Sequence, residues 1–280
     1  MTESLKKRLL TAIILLPLII LALIFLPILS FAIVSGLILL LAGSEWPKLM
    51  GKHSLFNVTF YIFLLIIVMF ISFIGIQIND RTGLLAKVIY ALVFMSWLMA
   101  IVWVVIYNRN LKTPSNSPWL YGIWGIFIIV PCWFGLNIIR ELDYGRWFIA
   151  YLLFLVWAAD STAYFVGRKW GKRKLAKNVS PNKSYEGVYG AIAATLIIST
   201  LGALFIPLPI DKKLAFIILS IITVLFSIVG DLIISVMKRQ QQIKDTGTLL
   251  PGHGGMLDRI DSLTASAFIF AVGLLILGLR

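Results

Sequence analysis

Apolar windows long enough to cross a bilayer follow one another along almost the whole chain, near residues 9–28, 30–48, 55–78, 84–107, 118–138, 147–167, 187–208, 214–237 and 262–279. A hydrocarbon layer about 30 Å thick takes about 20 residues of helix, because each backbone polar group has to be paired within its own segment. Windows this closely spaced in 280 residues leave no room for a separate soluble domain. The expected fold is therefore all-α: a polytopic transmembrane helical bundle of about nine spanning helices, one integral membrane domain over 1–280. Residues 1–140 would be mainly scaffold, and residues 150–280 carry the long polar loops. Pro27 marks a turn between the first two windows. Lys6-Lys7-Arg8 ahead of the first window resembles the start of a secretory signal. The apolar run is too long for that, and no small-x-small cleavage site follows, so a retained helix is expected.

Charge then orients the bundle. Lys6, Lys7, Arg8, Lys48, Lys52, Arg109, Lys112, the basic residues between Arg168 and Lys183, and Lys238, Arg239, Lys244 and Arg259 all fall on one side. They are 18 of the 25 Lys and Arg residues, so that side is expected to be cytoplasmic, and the N-terminus with it. Both long polar loops, 168–186 and 238–261, then face the cytoplasm. The net charge of +13 is distributed in this way, which fits topology and phosphate binding and not nucleic acid. The lone Cys132 forms no internal disulfide.

The densest chemistry lies between Asp231 and Asp261. Asp231, Ser235 and Lys238 or Arg239 share one face near the end of the eighth window, and Asp258 and Asp261 share a face where the ninth begins. Acids at the rim of a membrane span are costly and usually functional. Asp231 and Asp258 meeting across a helix pair would suit a hard cation such as Mg2+, which uses one or two carboxylates plus waters and phosphates. The same acids could instead only neutralise Arg239 and Arg259; spacing leaves both readings open. Gly252, Gly254 and Gly255 could form a phosphate nest leading into a helix N-terminus, or only a turn. His253 could be a ligand, an acid or a hydrogen-bond partner. Lys244, Asp245, Asp258 and Arg259 flank them.

In the other polar loop, Lys169, Arg173 and Lys177 read as a topogenic cluster beside anionic head groups. Ser180, Lys183 and Ser184 stand just before the seventh window as hydroxyl and ammonium donors for a substrate, with Glu186 beside them. Asp160 and Tyr164, four residues apart in the sixth window, point Asp160 to the bundle interior, where it binds substrate or braces a basic neighbour. Trp46, Trp119, Tyr121 and Trp147 read as interfacial belt anchors, and the Phe and Leu stripes of the first five windows as packing or lipid-facing surface.

The run Ser235-x-x-Lys238-Arg239-x4-Lys244-Asp245-x-Gly247-x-x-Leu250-Pro251-x-His253-Gly254-Gly255-Met256-x-Asp258-Arg259-Ile260-Asp261 resembles the signature of the phosphatidate cytidylyltransferases, also called CDP-diacylglycerol synthases. Ser180-Pro181-Asn182-Lys183-Ser184-x-Glu186-Gly187 is similar to that family's other polar motif, except that Asn182 stands where the family usually has lysine. The resemblance implies a reaction of CTP with phosphatidate that gives CDP-diacylglycerol and pyrophosphate and requires Mg2+, with K+ as a second cation beside it. It implies metal binding at Asp231 and Asp258, with Asp261 and Asp245 in support. Lys238, Arg239, Lys244 and Arg259, helped by Lys183 and Ser184, would hold phosphates, and His253, Gly254 and Gly255 would touch the phosphate chain. The expected partners are CTP, phosphatidate and membrane lipids, with a homodimer left open, and the expected location is a bacterial inner membrane with the site facing the cytoplasm.

Two rivals fit less well. A secondary transporter usually shows repeated halves and charge near the midplane, whereas here the charge gathers toward one face of the C-terminal half. An enzyme joining a CDP-activated lipid to an alcohol would need Asp-Gly and Asp-x3-Asp elements on adjacent helices, and the sequence lacks that cluster.

Overall fold

The computed structural model describes residues 22, 25–52, 54–78, 83–110, 117–249 and 254–279. Its elements are α1 (Ile28–Ser44), α2 (Trp46–Leu49), α3 (Leu55–Ile78), α4 (Leu84–Asn108), α5 (Pro118–Glu141), α6 (Gly145–Trp170), β1 (Lys174–Ala176), β2 (Ser180–Ser184), α7 (Tyr185–Phe205), α8 (Ile210–Gln240) and α9 (Leu257–Ile276). Eight stretches among the described residues are long and apolar enough to span, with α1 and α2 counted together as Ile28–Leu49. The expected window near 9–28 falls almost wholly outside the described residues.

Burial sorts the helices. In α5, 72% of the most apolar stretch is buried, against 17% in α3, so α5 sits at the centre and α3 turns most of its surface to lipid. Phe60, Phe63 and Phe70 on α3 and Leu92 and Met99 on α4 are exposed, as lipid-facing side chains should be. In the C-terminal half α6 packs along α7, α8 along α9, and α9 against α5. Gly230 marks the α8–α9 crossing: a Cβ there would lie 2.5 Å from the Asp261 carbonyl oxygen. Small residues at such crossings let helix backbones approach closely in lipid, where packing must replace the hydrophobic effect. This close approach puts Asp231 beside the start of α9.

The all-α outline holds, and three details within it differ from the sequence expectation. First, part of the 168–186 loop is a short antiparallel hairpin, with Lys174 paired to Ser184 and Ala176 to Ser180. Asn178 in its turn is held by Asn108 at the end of α4, through N–H to Oδ1 (3.1 Å) and Nδ2 to the carbonyl (2.7 Å). Second, α8 and α9 each begin earlier than their apolar windows. Lys212 and Lys213 lie in the first turns of α8, and Asp258, Arg259 and Asp261 in those of α9. A window that stops at the first charge misses helical turns whose charges reach water or find partners. Third, two of the residues read as belt anchors are core. Trp46 and Tyr121 are fully buried, and the Trp46 Nε1–H donates to the Tyr121 carbonyl at 2.7 Å. Trp119 and Trp147 remain exposed, as a belt requires.

Candidate active site

The polar cluster forms where the end of α8, the start of α9 and strand β2 converge. On α8 the i, i+4 spacing does what helix geometry dictates: the Ser235 hydroxyl donates to Asp231 Oδ1 at 3.3 Å. The other oxygen of Asp231 takes an ion pair from across the fold, with Lys183 Nζ of β2 at 2.5 Å and both side chains about one-quarter exposed. The hairpin therefore delivers Lys183 to α8. One turn further on, Lys238 reaches α9 and pairs with Asp258 Oδ1 at 2.7 Å, in a setting where the two side chains are only 14% and 5% exposed.

Asp258 is the most heavily engaged acid. Its Oδ2 accepts from the Thr246 backbone N–H (2.8 Å) and the Gly255 N–H (3.1 Å), and lies 3.0 Å from the Thr246 hydroxyl, whose one proton it shares with Glu45. Asp261, one turn along α9, keeps Oδ1 on the Ser262 N–H at 2.8 Å and lies close enough to Asp231 for the two charges to act on each other, with Lys183 and Lys238 acting on both. Asp160 of α6 is exposed and near enough to Lys183 and Asp231 for their charges to reach it. The cluster thus sets four carboxyl groups, Asp160, Asp231, Asp258 and Asp261, against two ammonium groups, Lys183 and Lys238.

The residues read as ligands from sequence separate into those facing this cluster and those holding the frame. Asp231, Ser235, Lys238, Asp258, Asp261, Lys183 and Asp160 come together. Ser184 does not present a free hydroxyl: it is buried and caps α7, its Oγ accepting from the Gly187 N–H at 3.2 Å, which satisfies one unpaired donor of the first turn. Ser180 is half-buried at the start of β2. Arg239 leaves the Asp231 face, and its Nε–H donates to the Val179 carbonyl at 3.2 Å, fastening the hairpin to α8. Glu186 accepts from the Lys172 and Arg173 N–H groups and pairs with Arg173 Nε at 3.3 Å, closing the base of the hairpin. Lys244, Asp245 and Arg259 are exposed. His253 lies outside the described residues.

Of the glycine loop, Gly254 and Gly255 are described, and Gly252 lies outside the described residues. Gly254 does adopt the left-handed backbone a nest would use, at φ +82°. The Gly255 N–H, however, is taken by Asp258, and the N–H groups of Met256 and Leu257 donate to Glu45 at 2.9 and 3.0 Å. Carboxylates from within the fold face the positive end of α9. Glu45 is the residue that sequence reading missed. The signal was a single acid at the rim of an otherwise uncharged span. Lys48 three residues later offered a bland local partner, yet Lys48 Nζ goes to the Asp245 carbonyl at 3.1 Å.

Among the described residues no three His, Cys, Asp or Glu side chains converge as a ready-made metal cage. A cation here would have to be completed by water and substrate oxygens, which is how Mg2+ is usually held. Asp231 and Asp261, whose charges act on each other in a cluster with more acids than bases, make a suitable donor set for it.

Comparison with known proteins decides the class. The sequence model described as the cytidylyltransferase family matches residues 6–277. The chain belongs to the cytidylyltransferase family. It is thus a nucleotidyltransferase built as a bundle of membrane-length helices. Among its relatives is a Pseudomonas aeruginosa protein named phosphatidate cytidylyltransferase, 37% identical over 272 residues, covering 95% of this chain and 96% of the relative. A Haemophilus influenzae protein of the same name is 35% identical over 280 residues, with 95% and 97% covered. One from Bacillus subtilis is 47% identical over 128 residues, 44% of this chain and 46% of the relative.

Proposed function

We propose that this enzyme transfers the cytidylyl group of CTP to phosphatidate, giving CDP-diacylglycerol and pyrophosphate at the cytoplasmic rim of a bacterial inner membrane. One observation carries the reading: a family match over nearly the whole chain coincides with a carboxylate–lysine cluster at the ends of membrane-length helices. Only a site at that depth suits both reactants, since the acyl chains stay in the bilayer while the nucleotide arrives through water.

In the reaction an oxygen of the lipid phosphate attacks the α-phosphorus of CTP. The bond from that phosphorus to the bridging oxygen breaks, and pyrophosphate leaves with the electron pair. A phosphate monoester is largely ionised near pH 7, so no strong general base is required. The obstacle is the approach of one polyanion to another, which calls for positioning and neutralisation. Lys183 and Lys238 are the inner cations for this task, while Lys244 and Arg259 stand exposed to meet incoming phosphates.

If Mg2+ were held here, it would supply positive charge against the phosphates. Asp231 is its first candidate ligand, with Asp261 beside it. Asp258, engaged by Lys238 and by the Thr246 and Gly255 N–H groups, would join only by exchanging Lys238. K+ is the candidate for a second, weaker cation in the same acid-rich cluster.

Purified protein in phosphatidate-containing vesicles with CTP and Mg2+ should form CDP-diacylglycerol and pyrophosphate in equal amounts, read by mass spectrometry and a pyrophosphate assay. No nucleotide-linked lipid under any divalent-metal condition would refute the assignment.

A further inference from the structure

Glu45 lies far in sequence from every residue assigned above, on the scaffold half of the chain, at the junction of α1 and α2. It is 7% exposed, which is rare for a carboxylate without strong compensation. Its compensation comes from one place. Oε1 accepts the Met256 N–H at 2.9 Å, and Oε2 accepts the Leu257 N–H at 3.0 Å and the Thr246 hydroxyl at 2.7 Å. Helix α9 has no side-chain cap of its own at Met256, so Glu45 supplies the cap from another helix. Gly247 and Gly255 leave the space the carboxylate needs, since a Cβ at either would collide with it.

The contact does not end at the cap. The Thr246 hydroxyl that meets Glu45 lies 3.0 Å from Asp258 Oδ2, and Asp258 in turn holds Lys238 at 2.7 Å. Glu45 therefore stands at one end of a polar chain through Thr246 and Asp258 to Lys238, and holds Thr246, two residues after Lys244, against the start of α9. We propose that Glu45 is a positioning residue for cytidylyl transfer. It holds Thr246, next to Lys244 and Asp245, and the first turn of α9 in the arrangement that receives the nucleotide. This role rests on the function proposed above. The nucleotide is the substrate concerned because Lys244 and Asp245, beside Thr246, are exposed and polar, as a contact for a water-borne reactant should be.

Replacing the carboxylate by an amide in Glu45→Gln keeps the size, removes the charge and turns an N–H2 group toward donors. Weakening three charge-assisted hydrogen bonds, each on the order of ten-fold in an equilibrium, takes the held arrangement from nearly full occupancy to about one molecule in ten. Apparent affinity falls by the same factor as the fraction of protein in that arrangement. KM for CTP should accordingly rise about ten-fold, while kcat at saturating CTP stays within about two-fold, because bound nucleotide restores the arrangement. Hydrogen exchange at Met256 and Leu257 should quicken while α5 and α8 stay protected.

A merely structural Glu45 would lower the amount of active enzyme, and so kcat, without moving KM. That result overturns the proposal, as does a KM for CTP within about two-fold of wild type. If Glu45→Gln does not fold, Thr246→Val removes only the bridging hydroxyl and keeps the branched shape. It should raise KM for CTP about three-fold or more, and an unchanged KM there overturns the proposal equally. Wild-type protein without transfer would sink the proposed function and this role with it. Active wild type beside an indifferent Glu45→Gln sinks this role alone.

Discussion

Asp258→Asn separates a catalytic part from a structural brace. The wild-type carboxylate faces Lys238 at 2.7 Å with little water nearby, as the side chains are 5% and 14% exposed. Removing one partner of a buried pair typically costs about 3–5 kcal/mol, because the surviving charge is stranded. Asparagine still offers one oxygen to the Thr246 and Gly255 N–H groups, and Lys238 retains some contact with water. The lower end, about 3 kcal/mol, is therefore expected for the single variant. Adding Lys238→Met removes the stranded ammonium, and the double variant should regain most of that stability, since an uncharged replacement of a buried pair is often near neutral. Activity should not follow. If Lys238 and Asp258 organise the phosphates, the double variant stays at least about a hundred-fold down in kcat/KM, the equivalent of roughly 3 kcal/mol of transition-state stabilisation. The assay pairs melting in detergent micelles with CTP-dependent lipid product formation on the same preparations. Recovery of transfer together with stability in the double variant would show the pair to be only a brace.

Two further outcomes follow from the same geometry. Asp231→Asn should remove most transfer activity while the protein still inserts and purifies, since this acid is about one-quarter exposed and its loss leaves Lys183 accessible to water; near-normal turnover would remove the proposed metal ligand. Gly230→Ala should force α8 and α9 apart, because the added Cβ would lie 2.5 Å from the Asp261 carbonyl oxygen, and cost about 1–3 kcal/mol of stability, read as a lower melting temperature.

Periodicity and hydropathy made the helices legible because a bilayer permits few alternatives. Spacing also placed Ser235 on Asp231 through one helical turn, and the resemblance singled out the segment whose lysine and acids do meet. What the sequence hid were contacts between distant elements. Lys183 reaches Asp231 only because a hairpin, anchored by Asn178 and Arg239, folds back onto α8. A two-stranded turn this short gives no clear alternation against a background of lysines. Ser184 and Glu186 read as substrate ligands or neighbours, yet cap and hairpin chemistry uses the same oxygens. Glu45 was invisible for a related reason: its partners are backbone N–H groups two hundred residues away, which no side-chain pattern announces.

The most direct test uses CTP carrying distinguishable labels on its α- and γ-phosphates, presented with phosphatidate and Mg2+ to the reconstituted protein. Attack on the α-phosphorus predicts that the α-label enters the organic phase while the γ-label stays in water as pyrophosphate. A γ-label recovered in lipid, or neither label leaving the aqueous phase, would contradict the account.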